Sequence, residues 1–100
     1  MFSVTVRRVE TWFEAGQNVI TEGDDGEVFY LVMSGEAVAT KTLQPGTPAT
    51  QVASYKPGDY FGERALLKNE PRAANVVAET RLQVVELDRK SFRRLLGPID

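Results

Sequence analysis

Glycine and proline interrupt this chain at short intervals. There are eight glycines and five prolines in 100 residues, and the segments between them are rich in Val, Phe, Tyr and Thr. Spacing this tight leaves room for strands rather than long helices, and β-branched and aromatic side chains suit a pleated surface. The pattern predicts an all-β sandwich or barrel. Val9 to Phe13 reads as a first strand ended by Ala15-Gly16, Asn18 to Thr21 resumes extended chain, and Gly23 to Gly26 (GDDG) makes a tight turn. Val28 to Met33 (VFYLVM) is apolar throughout, as in a strand covered on both faces. Ser34-Gly35-Glu36 is expected to turn it into AVATKT as a hairpin. Thr42 to Thr50 (TLQPGTPAT) reads as a surface loop, Gln51 to Tyr55 as a strand and Lys56 to Asp59 (KPGD) as a turn. Asn75 to Glu79 and Leu82 to Leu87 form two further strands around Thr80-Arg81. Asp88 is a good N-cap for the helix RKSFRRLLG, with Phe92, Leu95 and Leu96 on one face and Gly97-Pro98 as its stop. The expected fold is mainly β: one compact antiparallel β-roll over residues 1–100, with a short internal helix and a terminal helix.

Composition narrows the chemistry. The chain has no cysteine and no histidine. That excludes disulfides, thiolate metal sites, a cysteine nucleophile, the usual neutral-pH general base and the common zinc ligand. No metal and no catalytic residue are expected. The net charge of -2 gives no whole-surface field toward nucleic acid or anionic lipid, so any anion must be held locally. No apolar run approaches the roughly 18 residues of a membrane span, and MFSVTVRRVE lacks the order of a signal peptide. A cytoplasmic location is the expectation, with no nucleic-acid partner and no direct membrane insertion.

One stretch stands out: FGERALLKNEPRAANV, Phe61 to Val76. Glu63 to Leu67 (ERALL) are helix formers in a run too short to be stable without tertiary support. Gly62 precedes them, where a missing Cβ lets a ligand approach the backbone, and the first helical amides are unsatisfied donors that suit an anion. Arg72 offers a planar guanidinium fork to phosphate oxygens, presented by the stiff Pro71. Glu63 would repel a phosphate. It fits only a ligand that also carries a hydroxyl donor nearby, as a ribose 2'-OH does. Ala65, Ala73 and Ala74 are small and leave room for a flat base or sugar.

This stretch resembles the phosphate-binding cassette of cyclic-nucleotide-binding domains, with its FGE-x-AL core and PRAA close. GDDGEVFYLVMSGEA resembles the glycine-bounded hairpin of the same family, and KPGDYFGE its approach to the cassette. LDRKSFRRLLGP is similar to the start of the C-terminal hinge helix in cyclic-nucleotide-dependent protein kinases. The resemblance covers residues 9 to 98. It implies a jelly-roll-like β-roll with a short internal phosphate-binding helix and a C-terminal hinge helix. It also implies that Arg72 binds the exocyclic phosphate oxygens, that Glu63 accepts from the 2'-OH, and that amides near Gly62 and Ala65 complete the cradle. Gly35 matches a structural hairpin glycine. In such proteins nucleotide binding is the switch: the terminal helix swings in and relieves inhibition of a serine/threonine kinase domain, in cis or in trans. The chain is then a non-catalytic regulatory domain, a fragment of a larger regulatory or kinase chain.

The residues split on the ligand, cGMP or cAMP. Arg64 directly after GE, where it can reach the terminal helix, and Asn75-Val76 look more like cGMP-dependent kinases, particularly of protists. Ala73 lacks the hydroxyl that vertebrate cGMP-selective domains usually place after the cassette arginine, and Ala53 or Ser54 stand where a guanine-facing arginine is often found. PRAA and LDR…LGP look equally like the second site of a type I regulatory subunit of cAMP-dependent kinase. The expectation leans to cGMP, with cAMP as the alternative. A cyclic-nucleotide-gated channel module or a transcription regulator with the same roll is a further reading. The chain ends at Asp100, before the part of the hinge helix that usually supplies a lid over the base.

Overall fold

The computed structural model describes residues 8–63, 68 and 70–96. Among the described residues the elements in chain order are β1 (Arg8–Phe13), β2 (Asn18–Ile20), β3 (Val28–Ser34), β4 (Ala37–Lys41), β5 (Thr50–Tyr55), β6 (Tyr60–Phe61), β7 (Asn75–Ala78), β8 (Leu82–Asp88) and α1 (Arg89–Leu96). They form two antiparallel four-stranded sheets, ordered β1-β8-β3-β6 and β2-β7-β4-β5. This is the mainly antiparallel β-roll that the spacing of turns predicts.

The core lies between the sheets and is asymmetric. The first sheet sends in Tyr30, Val32, Phe61, Leu82 and Val84; the second sends in Ile20, Ala37, Ala39, Val76 and Ala78. Full burial of each large side chain contributes about 1.5–3 kcal/mol. The alanines of β4 and β7 fill far less volume, so the second sheet leaves space that the first does not fill. A smaller cluster, Phe29, Val85 and Leu87 with Leu31, occupies the other face of the first sheet, and α1 packs against β8 and β3. VFYLVM is therefore covered on both faces from Phe29 to Val32, as its sequence predicts. Met33, 46% exposed, is the exception: it is left unpaired between Val32↔Val84 and Ser34↔Gln83, a β-bulge.

The expected hairpin between VFYLVM and AVATKT does not form. β3 pairs with β8 and β6, whereas β4 pairs with β5 and β7. Gly35, at φ 82°, carries the chain across the core instead of back along its own sheet. Its corner is bonded to the corner between β7 and β8: Glu79 N and Thr80 N donate to Glu36 O at 2.9 and 3.3 Å, and Glu36 N donates to Thr80 Oγ1 at 3.0 Å. A Cβ on Gly35 would collide with the Arg81 carbonyl. The physical reason is burial. Tyr30 and Val32 face Ala37 and Ala39 across the core only if the two strands lie in different layers.

The terminal helix begins as predicted, with Ser91 N donating to Asp88 Oδ1 at 2.8 Å as an N-cap. The apolar face assigned to Phe92, Leu95 and Leu96 lies outside the described side chains. Among the described residues, no helix is long and apolar enough to cross a membrane.

Candidate functional site

The approach to the site is clamped by backbone. In the KPGD turn, Lys56 N donates to Asp59 Oδ2 and Asp59 N to Lys56 O, both at 2.9 Å. Val32 N donates to Asp59 O and Gly58 N to Val32 O, both at 2.9 Å, which ties the turn to β3. β6 then delivers the buried Phe61 to the core, and Gly62, at φ 88°, reverses the chain so that Glu63 enters a helical conformation. Lys68 is also helical; the rest of the predicted short helix, with Arg64 and Ala65, lies outside the described residues.

Arg72 comes to this point from the other end of the stretch. Its backbone is tied to the GDDG turn, with Arg72 N donating to Asp24 O at 2.7 Å and Gly23 N to Arg72 O at 2.9 Å. Its side chain is buried, only 7% exposed. Nη1 donates to Gly62 O at 2.9 Å, Nη2 donates to Val28 O at 2.8 Å, and the guanidinium lies 5.9 Å from the Tyr30 ring centroid. Both hydrogen bonds go to neutral carbonyls, so the charge is oriented without being neutralised. Gly26 and Gly62 make room for it: a Cβ on either would run into the guanidinium.

These residues edge an open cleft with about 480 Å³ of empty space. Gly62, Glu63, Arg72, Ala73 and Ala74 all line it, so five of the seven predicted site residues come together. Ile20, Ala39, Tyr55, Phe61 and Val76 complete the wall. Sequence reasoning assigned Ile20, Ala39 and Tyr55 only to extended chain, while Val76 closed the singled-out stretch and counted toward cGMP; Ala39 is where the second sheet's small residues leave their gap. Tyr55 had one usable signal, an aromatic at the end of a strand just before KPGD.

Glu63 is the anomaly. Its Oε2 is buried and has no hydrogen-bond partner, the one such side-chain atom among the described residues. An orphaned buried acceptor costs about 1–3 kcal/mol, more when charged. Its charge is felt across the cleft: burial first, then Glu63 and Asp59, push the Tyr55 phenol above its ordinary 10.0. Tyr30 is likewise pushed up by burial and by Glu86, with the Arg72 charge opposing. The site combines an oriented buried cation, an acceptor awaiting a donor and an apolar slot. It suits an anionic group with a hydroxyl close by and a flat apolar body. Among the described residues no group of three or more acidic, cysteine or histidine side chains stands close enough to hold a metal.

Asn75, one of the residues behind the cGMP expectation, has a structural task. Its Oδ1 accepts from Glu22 N at 2.9 Å, joining β7 to the end of β2.

The profile of the cyclic nucleotide-binding domain family matches residues 10–97. A cAMP-dependent protein kinase regulatory subunit of Aspergillus niger is 52% identical over 88 residues, covering 88% of this chain and 20% of the relative. The chain thus spans about a fifth of the length of the curated relatives it matches. The regulatory domain of Toxoplasma gondii PKA, solved with cAMP, superposes with a TM-score of 0.82 at 49% identity, over 90% of this chain and 34% of that one. The regulatory subunit of a cAMP-independent protein kinase A from Trypanosoma brucei has the same TM-score, 0.82, at 30% identity, over 92% of this chain and 34% of that one. The fold alone therefore does not fix the ligand.

Proposed function

Because the chain belongs to the cyclic nucleotide-binding domain family, we propose that its cleft binds cAMP and that binding regulates a serine/threonine protein kinase. The observation that carries this reading is the pairing, on one cleft, of the carbonyl-held Arg72 guanidinium with the unpartnered Glu63 Oε2. Arg72 takes the exocyclic phosphate oxygens, Glu63 the ribose 2'-OH, and the amide of Gly62 borders the phosphate. Ala73 and Ala74 leave room beside the sugar. Ala65 keeps the place in the phosphate cradle that the resemblance gives it, and Arg64 its reach from the site toward the terminal helix.

The alternative ligand of the sequence reading, cAMP, is favoured over cGMP. The names of the curated relatives, and of the Toxoplasma gondii regulatory domain solved with cAMP, speak for cAMP. Apart from Tyr55, the cleft wall, formed by Ile20, Ala39, Ala73, Ala74 and Val76, offers no side-chain hydrogen-bonding group to a guanine 2-amino or 6-oxo group. Asn75, which suggested cGMP, is engaged with the Glu22 backbone. Residues 1–100 act in this reading as one non-catalytic, cytoplasmic regulatory domain of a longer chain, with a kinase catalytic domain as partner. α1, in contact with β8 and β3, is the element that reports occupancy.

The test is calorimetric titration of cAMP and of cGMP into nucleotide-stripped protein. Stoichiometric binding of cAMP, tighter than that of cGMP, is the expected result. A preference for cGMP would overturn the ligand assignment, and binding of neither by folded protein would overturn the function.

A further inference from the structure

Tyr55 stands at the end of β5, where Ala37↔Tyr55 sets its register, and lines the same cleft as Glu63. Its ring is fixed against Phe61, centroids 4.9 Å apart at 32°. Phe61 in turn stacks on Tyr30 at 5.2 Å and 21°, and Tyr30 lies under Arg72. A run of three rings thus joins the Tyr55 side of the cleft to the guanidinium. The reversal at Gly62 leaves Glu63, two residues after Phe61, on the lining of the same cleft. Glu63 Oε2, a buried acceptor, is left without a partner among the described residues, and the Tyr55 phenol, which carries a hydroxyl donor, lines the same cleft.

We propose that Tyr55 is a positioning residue for Glu63: when nucleotide fills the cleft, its hydroxyl donates to the Glu63 carboxylate and fixes it to receive the ribose 2'-hydroxyl. The inference rests on the nucleotide reading above and deepens it. A carboxylate has about four acceptor sites, and one sugar hydroxyl supplies a single proton. A second donor is needed to satisfy an oxygen already withdrawn from water and to stop the side chain from rotating away. The phenol is suited to this. Burial and the nearby Glu63 and Asp59 charges raise its pKa, so it stays protonated, a donor, at neutral pH. A short charge-assisted O–H···O bond is among the stronger hydrogen bonds available to a site.

The experiment uses Tyr55→Phe, which keeps the ring against Phe61 and removes only the oxygen. Titrations of cAMP and 2'-deoxy-cAMP into wild type, Tyr55→Phe, Glu63→Ala and the double variant form a cycle, with thermal unfolding to verify that each is folded. In Tyr55→Phe, cAMP affinity should fall about tenfold, as for loss of a hydrogen bond to a charged group. Affinity for 2'-deoxy-cAMP should stay within about twofold of wild type. In the Glu63→Ala background, Tyr55→Phe should change neither. A purely structural role for the ring leaves both affinities unmoved in Tyr55→Phe, and that result, or an equal loss for both nucleotides, overturns the proposal. Failure of folded wild type to bind either nucleotide would instead overturn the nucleotide reading itself, and this assignment with it.

Discussion

Arg72→Ala separates what the guanidinium does for the fold from what it does for a ligand. In the unliganded protein its two hydrogen bonds, to Gly62 O at 2.9 Å and Val28 O at 2.8 Å, are between a charge and neutral carbonyls. Each contributes about 1.5–3 kcal/mol. Against them stands the burial of a guanidinium without a bonded carboxylate, at several kcal/mol. The two nearly cancel. Loss of the side chain should therefore change unfolding free energy by only about 1 kcal/mol, or about 4–8 °C in Tm for a domain of this size. The bound state differs, because phosphate supplies the missing counter-charge. Truncating one side of a buried, hydrogen-bonded charge pair costs about 2–5 kcal/mol, so the variant should bind cAMP about a thousandfold more weakly. Differential scanning calorimetry with and without cAMP reads both effects. At one hundred times the wild-type Kd, cAMP should add about 2.7 kcal/mol to wild type, and essentially nothing to Arg72→Ala at the same concentration. Retention of cAMP affinity within tenfold would refute the assignment of Arg72 as the phosphate anchor. A variant that fails to fold would refute the claim that its charge is only oriented, not required, by the unliganded core.

Glu63→Ala removes an orphaned buried oxygen, so by thermal unfolding the unliganded variant should be at least as stable as wild type, while calorimetry should show cAMP binding weakened tenfold or more. Gly35→Ala places a side chain at φ 82° against the Arg81 carbonyl; the left-handed conformation costs about 1–2 kcal/mol and the collision more, so urea unfolding should show a loss of about 3 kcal/mol. Alkaline stability follows from Tyr30 and Tyr55, whose phenols are raised by burial above 10.0. The folded state holds these protons more tightly than the unfolded chain. Their contribution is therefore complete below pH 10 and is lost as pH rises through the folded values, so the urea midpoint should fall above pH 10 and fall less in Tyr55→Phe.

Strands and turns were legible in the sequence because their signals are local. VFYLVM between GDDG and SGE, and NVVA and LQVVELD around a turn, carry their own punctuation. The pairing was not legible at Gly35. A glycine with positive φ serves a hairpin and a cross-core corner equally well, and the choice is made by Thr80, Glu79 and Arg81, more than forty residues away in the chain. The candidate site divides in the same way. Gly62, Glu63 and Arg72 are readable because a strained glycine, a misplaced acid and a guanidinium each imply chemistry. Val28 O, Gly62 O and Asp24 O, which hold Arg72, are backbone carbonyls and leave no trace in residue identity. Ala39 looks like any strand residue, and only its shortfall in volume against the opposite sheet makes it a cleft wall. Asn75 was read for specificity, but its amide serves as a splice between β7 and the Glu22 backbone.

The most direct test of the central claim is a crystal structure of the chain grown with cAMP. The account expects the exocyclic phosphate oxygens on the Arg72 guanidinium and the ribose 2'-hydroxyl within hydrogen-bond distance of Glu63, with the base against Ala39, Tyr55 and Val76. A nucleotide whose phosphate lies away from Arg72, or whose ribose leaves Glu63 Oε2 still unpartnered, would contradict it.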